Sequence, residues 1–179
     1  MRPEQAAGKH RKKVDLMKTI AWATDGSPAA RNALTTAKHL AHLAGARLLV
    51  LHVQELGITR TGFLTDRNDK VVVALHHLVE QLRDEGIDAV LATGEAPAGG
   101  ADKSIVQLAQ KADVDLLVIG NRGHGPLAGM FLGSVALRLI RNAPFPVLMV
   151  PSRGRMARMK ADLEQERAAP ALVPSASPD

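Results

Sequence analysis

Five short apolar runs alternate with four stretches of helical spacing, and this alternation limits the fold more than any other feature of the chain. The runs are KTIAWAT (18–24), ARLLVLHV (46–53), IDAVLAT (87–93), DLLVIG (115–120) and PVLMV (146–150). Strands that are apolar at consecutive positions belong to a parallel sheet covered on both faces. Strands alternating with helices, joined by right-handed crossovers, give a doubly wound α/β fold: a five-stranded parallel sheet in a three-layer α/β/α sandwich.

Local signals set the expected boundaries. Ser27 followed by Pro28 marks a helix start, because proline fits the first helical position. Ala30, Ala33, Leu34, Ala37, Leu40 and Ala41 then recur with helical spacing until Gly45. Residues 54–68 are polar and read as a long loop. Val72, Val73, Leu75, Leu78, Val79 and Leu82 predict a second helix over 69–85, ended by Gly86. Residues 94–100 read as a turn-rich connection, 104–112 as a third helix and 135–142 as a fourth. Residues 152–167 fit a short charged helix, while AAPALVPSASPD (168–179) has a composition that favours disorder.

Composition removes several function classes. The chain has no cysteine, which excludes disulfides, thiol catalysis and thiolate metal sites. Its aromatic residues are Trp22, Phe63, Phe131 and Phe145, too scattered for a base-stacking platform. No apolar run approaches the roughly 20 residues of a membrane helix. The basic start, MRPEQAAGKHRKKVDL, has no apolar core of the secretory kind, so a cytoplasmic protein is expected. Of the formal charge of +5, residues 1–18 carry +4 and residues 152–179 carry +1, leaving 19–151 neutral. Specific nucleic-acid binding is therefore not expected; the basic arm reads as solvated and flexible.

The segment from Gly120 to Ser134 carries the chemistry. It leaves the carboxyl end of the fourth strand, where open α/β sheets bind ligands, and enters a helix. Glycines allow close approach of backbone to an anion, and a helix N-terminus offers free N–H groups with a partial positive charge. Together with the Ser134 hydroxyl these suit phosphate, and a nucleotide is the natural candidate. Hydrogen bonds to a charged group contribute roughly 1.5–3 kcal/mol each. Three or four reach the ~8 kcal/mol of micromolar binding. The competing reading is that these glycines only build a tight turn. Two other phosphate loops fail: Asp25-Gly26-Ser27 stands where a Rossmann G-x-G-x-x-G belongs, and Gly100-Ala101 replaces the Lys-Ser/Thr of a P-loop begun at Gly94.

The spacing G-x2-G-x9-G-S, made here by Gly120, Gly123, Gly133 and Ser134, resembles the signature of the ATP-binding universal stress proteins. Asp25-Gly26-Ser27 resembles the family's first-strand ending, Leu51-His52-Val53 its second, and Ala143-Pro144-Phe145-Pro146-Val147 its last helix-to-strand passage. The likeness spans about residues 17–151, flanked by a basic extension (1–16) and a C-terminal extension (152–179). It implies the strand order 3-2-1-4-5 of the adenine nucleotide alpha hydrolase-like fold, and homodimers paired through the fifth strand. It also implies a site for ATP, with or without Mg2+. Thr24 and Asp25 would lie by the adenosine, and Val53 would meet adenine through its backbone. Gly120, Gly123, Gly133 and Ser134 would hold ribose and phosphates, Asn121, Arg122, His124 and Gly125 would line the loop, and Val135 would close the pocket. An Asp25 that only shapes the helix entry is the competing reading.

No residue set predicts catalysis. Ser27 and Ser134 lack evident triad partners. The pairs His39/His42 and His76/His77 lack the third ligand of a metal site and read as solvent-facing or half-buried. Asp66 and Asp69 are candidates for Mg2+ carried by ATP on charge alone. The expectation is a nucleotide-dependent stress-response regulator, at most a slow ATPase, with an unidentified protein partner. Its alternative is a dimeric, chaperone-like interaction protein of the same fold that binds no nucleotide.

Overall fold

The computed structural model describes residues 17–56, 69–121 and 132–152, with isolated positions between 157 and 164. The elements run β1 (Thr19–Ala23), α1 (Pro28–Ala44), β2 (Arg47–Leu56), α2 (Asp69–Asp84), β3 (Ala89–Pro97), α3 (Ala101–Lys111), β4 (Leu116–Gly120), α4 (Ser134–Asn142) and β5 (Val147–Val150). All four strand pairs are parallel, and the sheet order is β3-β2-β1-β4-β5. The doubly wound fold with order 3-2-1-4-5 is what the sequence led us to expect.

Side-chain alternation along the central strands builds two cores. Ile20 and Trp22, with Leu48, Val50 and Val118, pack on one face against Ala33, Ala37 and Ala41 of α1 and Leu75, Val79 and Leu82 of α2. Ala21 and Ala23, with Leu49, Leu51, Leu117 and Ile119, pack on the other against Ile105 and Ala109 of α3 and Ala136 and Leu139 of α4. The alanine stripe on α1 brings its backbone close to the sheet. There the Trp22 indole N–H donates to the Ala30 carbonyl at 3.0 Å, so the largest buried ring keeps its one polar group paired.

The expected helix signals hold. Ser27 caps α1, its hydroxyl accepting from the Ala30 N–H at 3.2 Å, and Pro28 follows at the first helical position. Gly45 ends α1 in the left-handed region (φ 62°), with bonds from Gly45 to His42 and from Ala46 to Ala41 closing the last turn.

Two boundaries need correction. Residues 54–56 are strand rather than the start of a loop, and residues 94–97 are strand rather than turn. The β2–β3 ladder continues through Val53↔Gly94, Gln54↔Glu95, Glu55↔Ala96 and Leu56↔Pro97. Each segment has weak strand propensity alone, and the pairing between them supplies the missing stability. α3 consequently starts at Ala101, three residues before the expected Ser104. The rest of the expected loop (57–68, with Asp66), the basic extension 1–16 and the tail 168–179 lie outside the described residues. None of the described helices is long and apolar enough to cross a membrane.

Candidate functional site

Strand order reverses between β1 and β4, because β1 passes to β2 on one side while β4 passes to β5 on the other. Crossovers leaving the carboxyl ends of β1 and β4 turn to opposite faces of the sheet, which opens a crevice between them. The turn after β1 and the passage into α4 form its walls.

The β1 wall is built from short polar side chains folded onto their own backbone. The Thr24 hydroxyl accepts from the Gly26 N–H at 3.1 Å, and Asp25 Oδ1 accepts from the Ser27 N–H at 2.9 Å. Gly26 has φ 82°, which favours glycine, and an added Cβ would stand 3.0 Å from a Val71 methyl of α2, which would have to shift. Asp25 therefore does shape the helix entry, and it does so at the mouth of the crevice. A further contact was not legible in the sequence. The buried His52 ring on β2 donates from Nδ1 to the Thr24 carbonyl at 2.9 Å, because a carbonyl can only accept. Its Nε2 is buried without a partner among the described residues.

On β2, the backbone beside β1 runs past its partner. The β1–β2 register ends at Ala23↔Leu51, and the Thr24 N–H donates to the Leu51 carbonyl at 2.9 Å. Alternate residues of a strand direct both backbone groups to the same neighbour. Arg47 and Leu51 bond toward β1, so Val53 also directs its N–H and C=O that way, beyond the point where β1 has turned off. The Val53 side chain packs in the α3/α4 core.

The β4 wall is pinned at its two ends. The Asn121 N–H donates to the Val150 carbonyl at 3.1 Å, and the Gly133 N–H donates to the Asn121 carbonyl at 2.9 Å. The Asn121 side chain, only 2% exposed, accepts from the Ser152 N–H at 3.0 Å and ties the chain leaving β5 to the same point. Asn121 thus anchors the end of β4 to the start of α4 and to the chain leaving β5. Arg122, Gly123, His124 and Gly125, four of the expected site residues, lie outside the described residues. Gly133 caps α4 in extended conformation with no side-chain hydrogen bond, and Ser134 is exposed at the first helical position. Val135 packs onto the α3/α4 core beneath them. The structure thus brings Thr24, Asp25, Val53, Gly120, Asn121, Gly133, Ser134 and Val135 to the carboxyl edge of one sheet.

Two carboxylates that the sequence did not single out tie α3 to this region. Glu55 Oε1, at the end of β2, accepts from the Ala101 N–H at 3.1 Å and caps α3. Asp102 Oδ1 accepts from Arg138 Nε of α4 at 2.8 Å. The histidine pairs are elsewhere: His39, His42, His76 and His77 are exposed on α1 and α2, and His77 pairs with Glu80. Among the described residues, no three histidine or carboxylate side chains converge as metal ligands would.

Comparison with known proteins agrees with this architecture. The model of the universal stress protein family matches residues 17–151. A universal stress protein from Thermus aquaticus is 34% identical over 143 residues, covering 75% of this chain and 99% of the relative. A universal stress protein structure from Burkholderia pseudomallei superposes with a TM-score of 0.59 at 26% identity, covering 77% of this chain and 98% of that one. A universal stress protein solved in complex with cAMP superposes at 0.55 with 23% identity, covering 76% and 98%.

Proposed function

The chain belongs to the universal stress protein family, and from that premise we propose that it binds ATP in the crevice between β1 and β4 and acts as a nucleotide-dependent stress-response regulator. The observation that carries this reading is the N-terminus of α4. It stands at the switch point, its cap is a glycine without a side-chain bond, and its first-turn N–H groups have no intrahelical acceptor. Phosphate oxygens are suited to accept from these groups. The Gly120, Gly123, Gly133 and Ser134 spacing, and a family structure solved with cAMP, support the same assignment.

The opposite end of the crevice suits the base. Val53 offers a backbone donor and acceptor side by side, complementary to the N1 acceptor and N6 donor of adenine. Asp25 stands at the mouth with a carboxylate fitted to ribose hydroxyls and kept from the phosphate end, where like charges would repel. These groups bind and orient; the reading is a binding protein whose nucleotide shifts a conformational or partner equilibrium, by no more than its differential affinity for the two states. Mg2+ enters with the phosphates. The equilibrium includes a cytoplasmic homodimer formed through β5, which lies at the sheet edge with Met149 exposed, as are Leu137 and Ile140 of α4.

Calorimetry of the full chain tests this. ATP binds with micromolar affinity, and Asp25→Ala weakens ATP and adenosine by a similar factor. Absence of heat up to millimolar ATP, with no nucleotide released from the purified protein in mass spectrometry, overturns the reading in favour of an interaction protein without a nucleotide.

A further inference from the structure

Asp102 is the one charged side chain among the described residues that is buried, with its side chain 9% exposed. Removing a carboxylate from water is unfavourable unless a partner and geometry compensate, and replacing such a pair with apolar residues often stabilises a protein. The partner of Asp102, Arg138, keeps about a third of its side chain in water (36% exposed), and a pair open to solvent on one side contributes little to stability by itself. Its place in the fold suggests another use.

Asp102 lies in the first turn of α3, and its partner Arg138 lies one turn past Ser134 in α4. Helical side chains lean toward the N-terminus of their helix, so the guanidinium reaches back along the first turn of α4. That helix is only nine residues long. Ala136 and Leu139 hold it to the sheet by apolar packing, which resists lifting but is not directional. The bond from Arg138 Nε to Asp102 is charge-assisted and directional. α3 is in turn fixed to the sheet by the bond from the Ala101 N–H to Glu55, two residues beyond Val53, and by the Ser104 hydroxyl, which donates to the Glu95 carbonyl at 3.2 Å. A directional chain thus runs from the base end of the crevice, through α3, to the helix whose N-terminus faces the phosphate end.

We propose that Asp102 and Arg138 are a positioning pair that sets the orientation of the α4 N-terminus, and so gives the crevice its preference for phosphorylated nucleotides over adenosine. The second half rests on the nucleotide reading above; the first half does not. Loss of the pair frees α4 to rotate about its apolar seam, and the phosphate contacts weaken while the contacts at Val53 and Asp25 persist.

The test uses the full chain with Arg138→Gln, Arg138→Lys and the double variant Asp102→Asn/Arg138→Gln, which leaves no buried charge unpaired. In nucleotide-free protein, hydrogen exchange at Leu137 to Ile140 accelerates about tenfold in Arg138→Gln, while the amides of α1 keep the wild-type rate. In calorimetry the ratio of ATP to adenosine affinity falls by about tenfold, with adenosine held within about twofold. Arg138→Lys recovers part of both effects, and the double variant recovers neither, although it unfolds at or above the midpoint of Arg138→Gln. Unchanged exchange in α4 overturns the positioning role. Equal losses for ATP and adenosine, tracking the unfolding midpoint, reduce the pair to a structural one. If the wild-type chain binds neither ligand, the nucleotide reading fails and the exchange rates alone decide the positioning role.

Discussion

The two strand-to-helix junctions that wall the crevice solve one problem in opposite ways. Both must satisfy the N–H groups at the start of a helix. After β1 the chain supplies acceptors itself: Asp25 accepts from the Ser27 N–H and the Ser27 hydroxyl from the Ala30 N–H, while the Thr24 hydroxyl accepts from the Gly26 N–H of the turn and His52 donates to the Thr24 carbonyl. After β4 the cap residue is Gly133, which has no side chain to offer α4. A cap of the Ser27 kind is worth about 1 kcal/mol, and the sequence forgoes it at the junction where a ligand anion can supply the acceptor. On the proposed function, the self-capped β1 junction presents Asp25 to the ribose and the glycine-capped β4 junction faces the phosphates.

Gly133→Asp breaks that difference most severely. Gly133 has φ −67° and ψ 150°, a conformation open to any residue. An aspartate there caps α4 and complements its dipole, so the stability measured in urea unfolding holds or rises, by up to about 1 kcal/mol. The same carboxylate occupies the N–H groups and repels phosphate, and ATP affinity falls by more than about 100-fold. A variant that is stabilised and still binds ATP as the wild type does would place the nucleotide elsewhere.

On the self-capped β1 wall, away from Asp25, the effects fall on stability. His52→Leu removes the ring donor from the Thr24 carbonyl and costs about 1–3 kcal/mol in urea unfolding. His52→Asn returns an N–H close to the Nδ1 position and recovers part of the loss. Nitrogen chemical shifts of the wild-type ring show the proton on Nδ1. Ser27→Ala costs about 1 kcal/mol, with ATP affinity within about threefold of wild type. Large affinity losses in either variant would show that the two walls do not divide their work as the capping pattern indicates.

How much of this was legible in the sequence follows from the range of each interaction. Ser27-Pro28, Gly45, Gly86 and the apolar periodicities are local, and they delivered the element order and the helix ends. Strand order came with the likeness carried by the glycine spacing and the D-G-S turn, which also set the expected site residues. What stayed hidden is non-local. Gln54 to Leu56 and Gly94 to Pro97 become strand only by pairing with each other. Glu55 reads as a loop carboxylate until β3 places α3 above it. Asp102 and Arg138 are 36 residues apart on different helices, and each alone looks like a solvated surface charge. His52 sits in an apolar run with nothing nearby to indicate the Thr24 carbonyl as its partner.

The smallest expected effect extends the comparison to the far ends of the helices. α1 and α2 are followed by Gly45 and Gly86 at φ 62° and 82°, whereas α3 is followed by Asp113 at φ 48°. A left-handed backbone costs a residue with a Cβ roughly 1–2 kcal/mol, with aspartate at the tolerant end. The Asp113 N–H donates to the Gln110 carbonyl at 3.2 Å, a bond that any residue can make. Asp113→Gly relieves the Cβ conflict, while the greater freedom of glycine in the unfolded chain takes back about 0.5–1 kcal/mol. A net gain of about 0.5 kcal/mol in urea unfolding is expected, with ATP affinity unchanged, because this end of α3 lies at the edge of the sheet opposite the crevice. A loss of stability would mean that the Asp113 carboxylate contributes more at this helix end than its backbone strain removes.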